Sequence, residues 1–344
     1  MLVPNGKRPV WGVITPTAPP GVLAGQAQMY EQAGLEGVFA PQVYGPPFVP
    51  LAAAAAVTTR VKLASGIALA FARSPFETAM AAIDLDRISG GRFTLGLGCS
   101  IRTWSEGFFG MPYGKPLEHL REVVELIRLI IAEAHTGELK SFEGKYHRHD
   151  FIELQPLSPP LRADVPIWIA GLRGPLVSLA AEIADGVMRH AIWSTRWATN
   201  EGPEAIKRGL ARAGKQRSDV GVNLWPLVMI NNDRSEAIED SRATIAFYAG
   251  MTQYEEYFAA HGFRKEAQRL QEGVKRGDYV GVAHLVPDEM VEAFVTCGPP
   301  DEVRKKVEPL WNIADSLCLV PAPYGLPAQK VLAYGGAIAS TFYV

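Results

Sequence analysis

The sequence has few cysteines, no excess of either charge and no long apolar run. Its 344 residues include three cysteines, whose odd number and wide spacing exclude a disulfide framework and a CxxC metal or redox site. The 34 Lys and Arg residues against 36 Asp and Glu residues give a net charge of −2, which disfavours nucleic acids and anionic membranes as partners. No stretch approaches the roughly 20 apolar residues that cross a bilayer, so we expect no membrane span.

The start of the chain carries no pattern for export. Residues 1–6, MLVPNG, contain no apolar core of the roughly 7 to 15 residues that a secretory signal needs. With 48% hydrophobic and 20% charged residues, the composition is that of a globular protein. We therefore expect a soluble protein in the reducing cytoplasm.

Short apolar, β-branched runs alternate with longer helical patterns along the chain, which is typical of parallel strands joined by crossover helices. Eight runs are predicted strands: Val10–Ile14, Gly37–Pro41, Val61–Ala68, Arg92–Gly98, Pro166–Gly171, Gly186–Arg189, Val220–Ile230 and Asp315–Pro321. Eight repeats predict an α/β fold, a (β/α)8 TIM barrel, with residues 1–344 as a single domain. Two stretches break the alternation: residues 136–165 are predicted to be a hairpin or loop insertion, and residues 235–298 a helical lid.

One predicted helix has clear limits at both ends. Ser74-Pro75-Phe76-Glu77 is a capping box with proline at the first helical position. Gly90-Gly91 can adopt the left-handed backbone conformation that ends a helix. These signals predict a helix directly after the third strand.

The C-terminal strand ends hold the active site in barrels of this class, so the residues that follow each strand are the candidates. Gly171-Leu172-Arg173-Gly174 leaves a predicted strand and opens a predicted helix. Its free N–H groups, the helix dipole and the Arg173 charge suit a phosphate. Gly96–Ser100 forms a similar turn after the fourth strand. Either turn can equally be a tight connection without a ligand, because glycine serves both purposes.

Four motifs resemble the luciferase-like monooxygenase superfamily in order and spacing: Ala64–Ala68, Arg73-Ser74-Pro75, Asp84–Phe93 and Leu95–Gly98. The likeness covers about residues 10–230. Within the superfamily, the run Gly37–Gly45 resembles the group of F420-dependent oxidoreductases.

This resemblance implies a (β/α)8 barrel that binds FMN or the deazaflavin coenzyme F420 at its C-terminal mouth. It implies a non-prolyl cis peptide at Gly66-Ile67, where a bulge backs the central ring of the cofactor. The implied cofactor-binding residues are Thr15, Gln42, Gly66, Ile67, Gly98, Cys99, Ser100, Gly171, Leu172, Arg173 and Gly174. The superfamily's oligomers further imply a homodimer or larger assembly.

The sequence also departs from the family pattern. The acid or histidine that several F420-dependent dehydrogenases carry after the second strand is Gln42 here, and the glutamate that sugar-phosphate-oxidising members carry after the fourth strand falls near Ile101. Oxidation of an alcohol or sugar phosphate by that acid-base pair is therefore disfavoured.

Few of the remaining candidates can move a proton. His190 can donate one at the mouth or simply bond a backbone carbonyl, Tyr44 can donate one or line the ring, and Glu106 can orient substrate or cap a helix. His147 and His149 are expected on the solvated face of a hairpin without a third ligand, so no metal is expected.

Three functions follow from these expectations. The first is an F420-dependent oxidoreductase that transfers a hydride between deazaflavin C5 and an apolar unsaturated or carbonyl-type small molecule. The second is a monooxygenase that uses reduced FMN from a partner reductase together with O2. The third is a cofactor-binding protein without turnover.

Overall fold

The computed structural model describes residues 8–189 and 191–343. The strands are β1 (Val10–Val13), β2 (Gly37–Ala40), β3 (Lys62–Ser65), β4 (Ala68–Leu69), β5 (Phe93–Gly98), β6 (Phe142–Glu143), β7 (Arg148–His149), β8 (Ile167–Gly171), β9 (Gly186–Arg189), β10 (Gly221–Leu224), β11 (Leu227–Ile230), β12 (Val295–Gly298) and β13 (Ser316–Cys318). The helices are α1 (Pro20–Gln32), α2 (Phe48–Val57), α3 (Pro75–Ser89), α4 (Arg102–Gly107), α5 (Pro116–Glu133), α6 (Gly174–Ile183), α7 (Thr195–Thr199), α8 (Glu201–Ala213), α9 (Arg234–Ala249), α10 (Glu255–Ala260), α11 (Arg264–Lys275), α12 (Asp288–Phe294), α13 (Pro300–Val307) and α14 (Ala328–Phe342).

The parallel strands and the helices between them confirm the predicted (β/α)8 barrel class. The chain forms two compact units, Met1–Met188 with Ala205–Val222 and Arg189–Glu204 with Asn223–Val344. The organisation of residues 1–344 as a single domain remains a prediction.

Parallel pairing organises the sheet of the first unit. Strand β2 pairs with β1 and β3, β5 pairs with β3 and β8, and the short β4 also pairs with β5. A Cβ at Gly96 would overlap the carbonyl oxygen of Ser65, so only glycine permits β3 and β5 to approach this closely. The Ser65 hydroxyl bonds the main chain of Gly96 at 2.8 Å and fixes this contact.

The third strand differs from its predicted extent. The prediction of Val61–Ala68 as one strand is wrong, because β3 ends at Ser65 and β4 begins at Ala68. The peptide bond between Gly66 and Ile67 is cis, as the resemblance implies. The chain therefore leaves the β3 ladder at this bond and returns beside the end of β5.

Helix α3 has the predicted start and end. The Ser74 hydroxyl accepts a hydrogen bond from the N–H of Glu77 at 3.0 Å, which caps the first turn. Gly90 has a φ of 66°, the left-handed conformation that ends a helix. The helix thus occupies the stretch between these two signals.

A small hairpin interrupts the barrel pattern in the first unit. Strands β6 and β7 pair antiparallel within the stretch 136–165. This hairpin packs next to α5, where the side chain of Glu122 accepts hydrogen bonds from the N–H groups of Lys145, Tyr146 and His147. One carboxylate on α5 therefore binds three consecutive N–H groups of the insertion.

The second unit contains a strand, β12, that is absent from the eight predicted strands. The predicted strand Val220–Ile230 is wrong as one element, because it divides into β10 and β11 at Trp225 and Pro226. Strand β11 pairs in parallel with β12, and the last residues of β10 pair with β13. The stretch 235–298 contains most of the helices α9 to α12. No helix in the described part of the chain is both long and apolar enough to cross a membrane.

Candidate cofactor site

The ends of β2, β3 and β5 meet at the cis peptide bond. The N–H of Gln42 donates to the carbonyl oxygen of Ile67 at 3.1 Å, and the N–H of Gly66 donates to the carbonyl oxygen of Ala40 at 2.9 Å. A Cβ at Gly98 would overlap the end of the Ile67 side chain. The structure therefore brings together four predicted cofactor residues, Gln42, Gly66, Ile67 and Gly98.

Two buried donors in this region have no acceptor. The Gln42 side chain is 7% exposed, and its Oε1 accepts hydrogen bonds from the N–H of Leu69 at 2.9 Å and from Arg73 Nη2 at 2.8 Å. Gln42 Nε2 and Arg73 Nη1 are buried and have no partner among the described residues. Burial lowers the pKa of the Arg73 guanidinium, although the Glu77 carboxylate opposes the shift.

In the sequence, Arg73 stands out only as part of the motif Arg73-Ser74-Pro75, which predicts no role for it in the site. An arginine directly before a serine and a proline is typical of the start of a helix. Nothing in the neighbouring residues indicates that the Arg73 side chain is partly buried. A partly buried cation that pairs with no carboxylate among the described residues is costly, so this pair of donors is a candidate for contact with a ligand oxygen.

The end of β5 carries a thiol and an unusual serine. Cys99 is 6% exposed, and burial raises the pKa of its thiol to about 12. This thiol is therefore protonated at neutral pH and is not an activated nucleophile. Ser100 has a φ of 55°, the one positive value at a non-glycine residue in the described ranges. Its carbonyl oxygen accepts a hydrogen bond from the Tyr113 hydroxyl at 3.1 Å.

Tyr113 is a site residue that the sequence analysis missed. Burial, reinforced by the nearby Cys99, raises the pKa of its hydroxyl to about 12, and the charges of Arg102 and Arg173 act in the opposite direction. The Arg102 guanidinium lies 5.2 Å from the centre of the Tyr113 ring. Tyr113 therefore binds the turn after β5 through Ser100 and lies beside Arg102.

Glu106 and Tyr44 lie on the exposed side of this region. The Glu106 carboxylate pairs with Arg102 at 2.5 Å and accepts a longer hydrogen bond from the N–H of Tyr113 at 3.4 Å. Tyr44 is 67% exposed and stacks on Trp104 with ring centres 5.8 Å apart, beside Phe108. Glu106 thus holds Arg102, and Tyr44 belongs to an exposed aromatic cluster. The catalytic roles of both remain predictions.

The turn after β8 combines packing with free donors. A Cβ at Gly171 would lie 2.9 Å from Val177 Cγ2, so this glycine is needed to pack the turn on α6. Leu172 is buried at 8% exposure. The N–H groups of Leu176 and Val177 donate back to the carbonyl oxygen of Arg173.

Arg173 and Gly174 have unused donors. Among the described residues, no acceptor bonds the N–H of either residue, and no carboxylate pairs with the exposed Arg173 side chain. Because α6 begins here, its dipole adds a positive potential at the same place. The turn has the donors and charge that a phosphate needs.

Two further predicted residues are not part of this cluster. Thr15 is bonded by Gln26 of α1, which accepts from its N–H at 3.1 Å and donates to its hydroxyl at 3.3 Å. No contact in the described part of the chain links Thr15 to the turn after β8. His190 lies outside the described residues.

Comparison with known proteins identifies the family. Residues 8–313 match the family model for luciferase-like monooxygenases. The chain belongs to this family. A member of this family is an oxidoreductase, so the chain is one as well.

Two relatives and one solved structure define the similarity. An uncharacterised protein of Mycobacterium tuberculosis is 34% identical over 284 residues, covering 81% of this chain and 84% of the relative. A protein of the same organism, provisionally named a coenzyme F420-dependent oxidoreductase, is 32% identical over 333 residues, covering 90% of this chain and 92% of the relative. The coenzyme F420-dependent tetrahydromethanopterin reductase from Methanopyrus kandleri shares the fold, with a TM-score of 0.80, 24% identity and coverage of 97% of this chain and 98% of the other.

Proposed function

We propose that this protein is an F420-dependent oxidoreductase that transfers a hydride between deazaflavin C5 and an apolar unsaturated or carbonyl-type small molecule. The observation that carries the proposal is the turn at the start of α6, where the N–H groups of Arg173 and Gly174 and the Arg173 guanidinium have no partner among the residues that the structure describes. The mycobacterial relative named as an F420-dependent oxidoreductase matches nearly the full length of this chain and supports the deazaflavin over the flavin.

The described residues fit such a cofactor in two places. The first is the turn after β8, where the N–H groups of Arg173 and Gly174 can donate hydrogen bonds to its phosphate. The second is the bulge at Gly66 and Ile67, which can support the ring of the cofactor. Gln42 Nε2 and Arg73 Nη1, the two donors without a partner among the described residues, lie near it. When bound, a deazaflavin supplies hydride transfer at C5 without ready activation of oxygen. The protein positions the ring and excludes water.

The residue at the end of β2 limits the proton chemistry. Gln42 is an amide, so it can donate a hydrogen bond but cannot act as a general acid or base near neutral pH. Its Oε1 is already occupied by Leu69 and Arg73. We therefore propose that the proton comes from Tyr44, from His190 or from water, and that Glu106 acts by holding Arg102.

The second candidate is a monooxygenase that uses reduced FMN and O2, with the reduced flavin supplied by a partner reductase. The description of the matched family, luciferase-like monooxygenase, favours it. The third candidate, cofactor binding without turnover, rests on the missing acids at Gln42 and Ile101. We also propose a homodimer or larger assembly, which sedimentation velocity tests.

The deciding experiment titrates the purified apoprotein with F420 and with FMN at matched ionic strength, followed by fluorescence. Tight F420 binding with weak FMN binding is expected. The reverse preference would favour the monooxygenase, and binding of neither would contradict both. A panel of enones, ketones and aldehydes with reduced F420 then tests turnover, and the absence of any product would favour the third candidate.

A further inference from the structure

Gln42 and Arg73 form a hydrogen-bonded pair at the bulge of Gly66 and Ile67. Gln42 follows β2, and Arg73 follows β4. Gln42 Oε1 accepts hydrogen bonds from Arg73 Nη2 at 2.8 Å and from the N–H of Leu69 at 2.9 Å. A carbonyl oxygen has two lone pairs, and both are used here. These two bonds also fix the orientation of the amide, because an exchange of Oε1 and Nε2 would place donors against donors.

The two other terminal nitrogen atoms of this pair have no acceptor. Gln42 Nε2 and Arg73 Nη1 are shielded from solvent, and neither has a hydrogen-bond partner among the described residues. Gln42 is only 7% exposed. Each of the two nitrogens is two covalent bonds from an atom of the hydrogen bond between Gln42 and Arg73, so they lie close to one another. We refer to Gln42 Nε2 and Arg73 Nη1 as the donor pair.

The donor pair belongs to a cation without an ion-pair partner. Arg73 forms no salt bridge with a carboxylate in the described ranges. Its guanidinium carbon lies 5.2 Å from the centre of the Phe48 ring. An aromatic ring attracts the cation but offers no lone pair to its N–H groups. Because unsatisfied buried donors cost free energy, both observations point to a ligand that supplies an acceptor and a negative charge.

A negatively charged oxygen fits the donor pair better than water does. Each nitrogen carries two hydrogens, and hydrogen bonds to an anionic oxygen are about twice as strong as those to a neutral one. Water can accept these bonds, but it brings no charge to offset that of Arg73. The occupant that the donor pair favours is therefore a ligand oxygen that carries or develops a negative charge.

The donor pair can stabilise charge on an oxygen, but it cannot deliver a proton to that oxygen. Gln42 is an amide, and the Arg73 guanidinium stays protonated near neutral pH. An isolated ketone that accepts a hydride becomes an alkoxide, which needs a proton on its oxygen. When a carbonyl group is conjugated to a C=C bond, hydride addition at the far carbon produces an enolate, which is a much weaker base. These two side chains therefore favour conjugated carbonyl compounds over isolated ones.

We propose that the donor pair binds the carbonyl oxygen of an α,β-unsaturated ketone or aldehyde and stabilises the enolate that forms there. This inference rests on the proposed function and narrows its substrate class. The hydride, supplied by the reduced deazaflavin, which is oxidised by two electrons, forms a C–H bond at the β-carbon. The π electrons of the C=C bond shift so that the negative charge comes to rest on the oxygen. A proton from one of the sources proposed above then reaches the α-carbon.

Phenols test the donor pair without turnover, because a phenolate has an anionic oxygen on a conjugated system, as an enolate does. The probe is 4-nitrophenol, whose ionised form absorbs visible light. Titration at a pH below the pKa of free 4-nitrophenol shows which form the protein binds. The titration is done on the protein saturated with oxidised F420 and repeated on the protein alone. The affinity for F420 is measured for every variant as well.

Two variants alter the donor pair in different ways. Arg73→Met removes the charge together with Nη1. Gln42→Glu replaces Nε2 by an oxygen and supplies Arg73 with the carboxylate that it lacks. The matched control is Arg87→Met near the other end of α3, where the arginine is exposed and pairs with Asp84 at 3.2 Å. Thermal melting of each variant checks that the fold is unchanged.

The native protein is expected to bind 4-nitrophenol as the anion, with an increase in the phenolate absorbance. Arg73→Met and Gln42→Glu should weaken this binding about 10- to 100-fold, since each removes hydrogen bonds to a charged oxygen. Both variants should keep the native affinity for F420. With an enone as substrate, Arg73→Met should lower kcat/KM by about 10²- to 10³-fold, the effect of removing one donor to a developing oxyanion. Arg87→Met should change none of these quantities.

A native protein that bound no 4-nitrophenol, or only its neutral form, would overturn the proposal. Anion binding that persisted in both variants would overturn it as well. If Arg73→Met lost affinity for F420 and kept its affinity for the phenolate, the donor pair would contact the cofactor instead of the substrate. In each of these cases, F420 binding by the native protein would still support the proposed function. If the native protein bound no F420, the proposed function would fail, and the assignment of an enone substrate with it.

Discussion

His119 on α5 and His147, in the turn that joins β6 and β7, form a direct contact, with their Nε2 atoms 2.9 Å apart. His119 is buried between Phe71 and Tyr146, whose rings stack on it. The expectation that His147 lies on a solvated face is wrong, because its ring turns towards α5. A hydrogen bond between two imidazoles needs one of them to be neutral as acceptor, so this contact depends on pH.

The first prediction is that acid loosens this contact and lowers stability. Burial and the neighbouring His119 lower the pKa of His147 to about 4 against 6.5 for a free imidazole, while the Glu122 carboxylate opposes the shift. Burial also lowers the pKa values of His119 and His149. Below pH 6.5 the unfolded chain binds more protons than the folded one, so stability falls from pH 6.5 to about 4.

Thermal melting between pH 7.5 and 4 measures this dependence. In His147→Gln, the slope of the melting temperature against pH should be shallower than in the native protein. The matched control is His284→Gln, at an exposed histidine that bonds its own turn. Identical slopes for native protein and His147→Gln would show that the His147 pair does not contribute.

The second prediction concerns Arg173. Its side chain pairs with no carboxylate in the described part of the chain, so its charge is available to a ligand phosphate. Arg173→Ala should weaken cofactor binding by roughly 1 to 3 kcal/mol, the range for a hydrogen bond to a charged group. Titration of Arg173→Ala with the cofactor measures the loss of affinity. Lys140→Ala, at an exposed residue of the first unit, is the control variant. Unchanged affinity would remove Arg173 from the site.

The third prediction compares two partly buried arginines of the first unit. Arg92 donates to the carbonyl oxygens of Val61 at 2.6 Å, Ser89 at 2.7 Å and Thr58 at 2.9 Å. Arg92→Met leaves these acceptors unsatisfied and should cost about 2 to 4 kcal/mol of stability. Arg73 has one buried donor without a partner.

Arg73→Met should therefore cost less than about 1 kcal/mol in the apoprotein, while it weakens cofactor or substrate binding. Chemical denaturation gives both stabilities, and titration of each variant gives the affinities. If Arg73→Met destabilised the apoprotein as strongly as Arg92→Met, Arg73 would be a structural residue without a ligand.

The fourth prediction is that Cys99 is inert in the folded protein. With its pKa raised to about 12 by burial, very little thiolate exists at pH 7. Iodoacetamide should leave Cys99 unmodified in the native protein and modify it after unfolding, as read by peptide mass spectrometry. Rapid labelling of the native protein would mean that the thiol is accessible and activated.

Much of the fold could be predicted because its signals are local. Helix α3 starts at Ser74 and ends at Gly90, and both residues act through bonds within one turn of the helix. The division of Val220–Ile230 was also readable in principle, because Pro226 has no N–H for a ladder. The apolar run Leu224–Ile230, which extends across the proline, concealed it.

The missed site residues had no such signal. Tyr113 reaches Ser100 across 13 positions of the sequence. Arg73 is adjacent to Gln42 only because β2 and the residues after β4 meet at the bulge. Their roles depend on tertiary packing, which spacing along the chain does not encode.

The last prediction separates packing from binding in the turn after β8. Gly171→Ala places a Cβ 2.9 Å from Val177 Cγ2 and 3.1 Å from the Val177 backbone nitrogen, so it should destabilise the protein by about 1 to 3 kcal/mol. Gly174→Ala places a Cβ 3.5 Å from Arg208 Nη2 and 3.9 Å from Ala205 Cβ, which is ordinary van der Waals contact, so it should leave stability unchanged or raise it by about 0.4 to 1 kcal/mol. The same methyl group occupies the space beside the free N–H, so it should weaken cofactor binding. Denaturation curves and titrations of both variants test this: a Gly174→Ala protein with native affinity would show that the phosphate does not approach this residue.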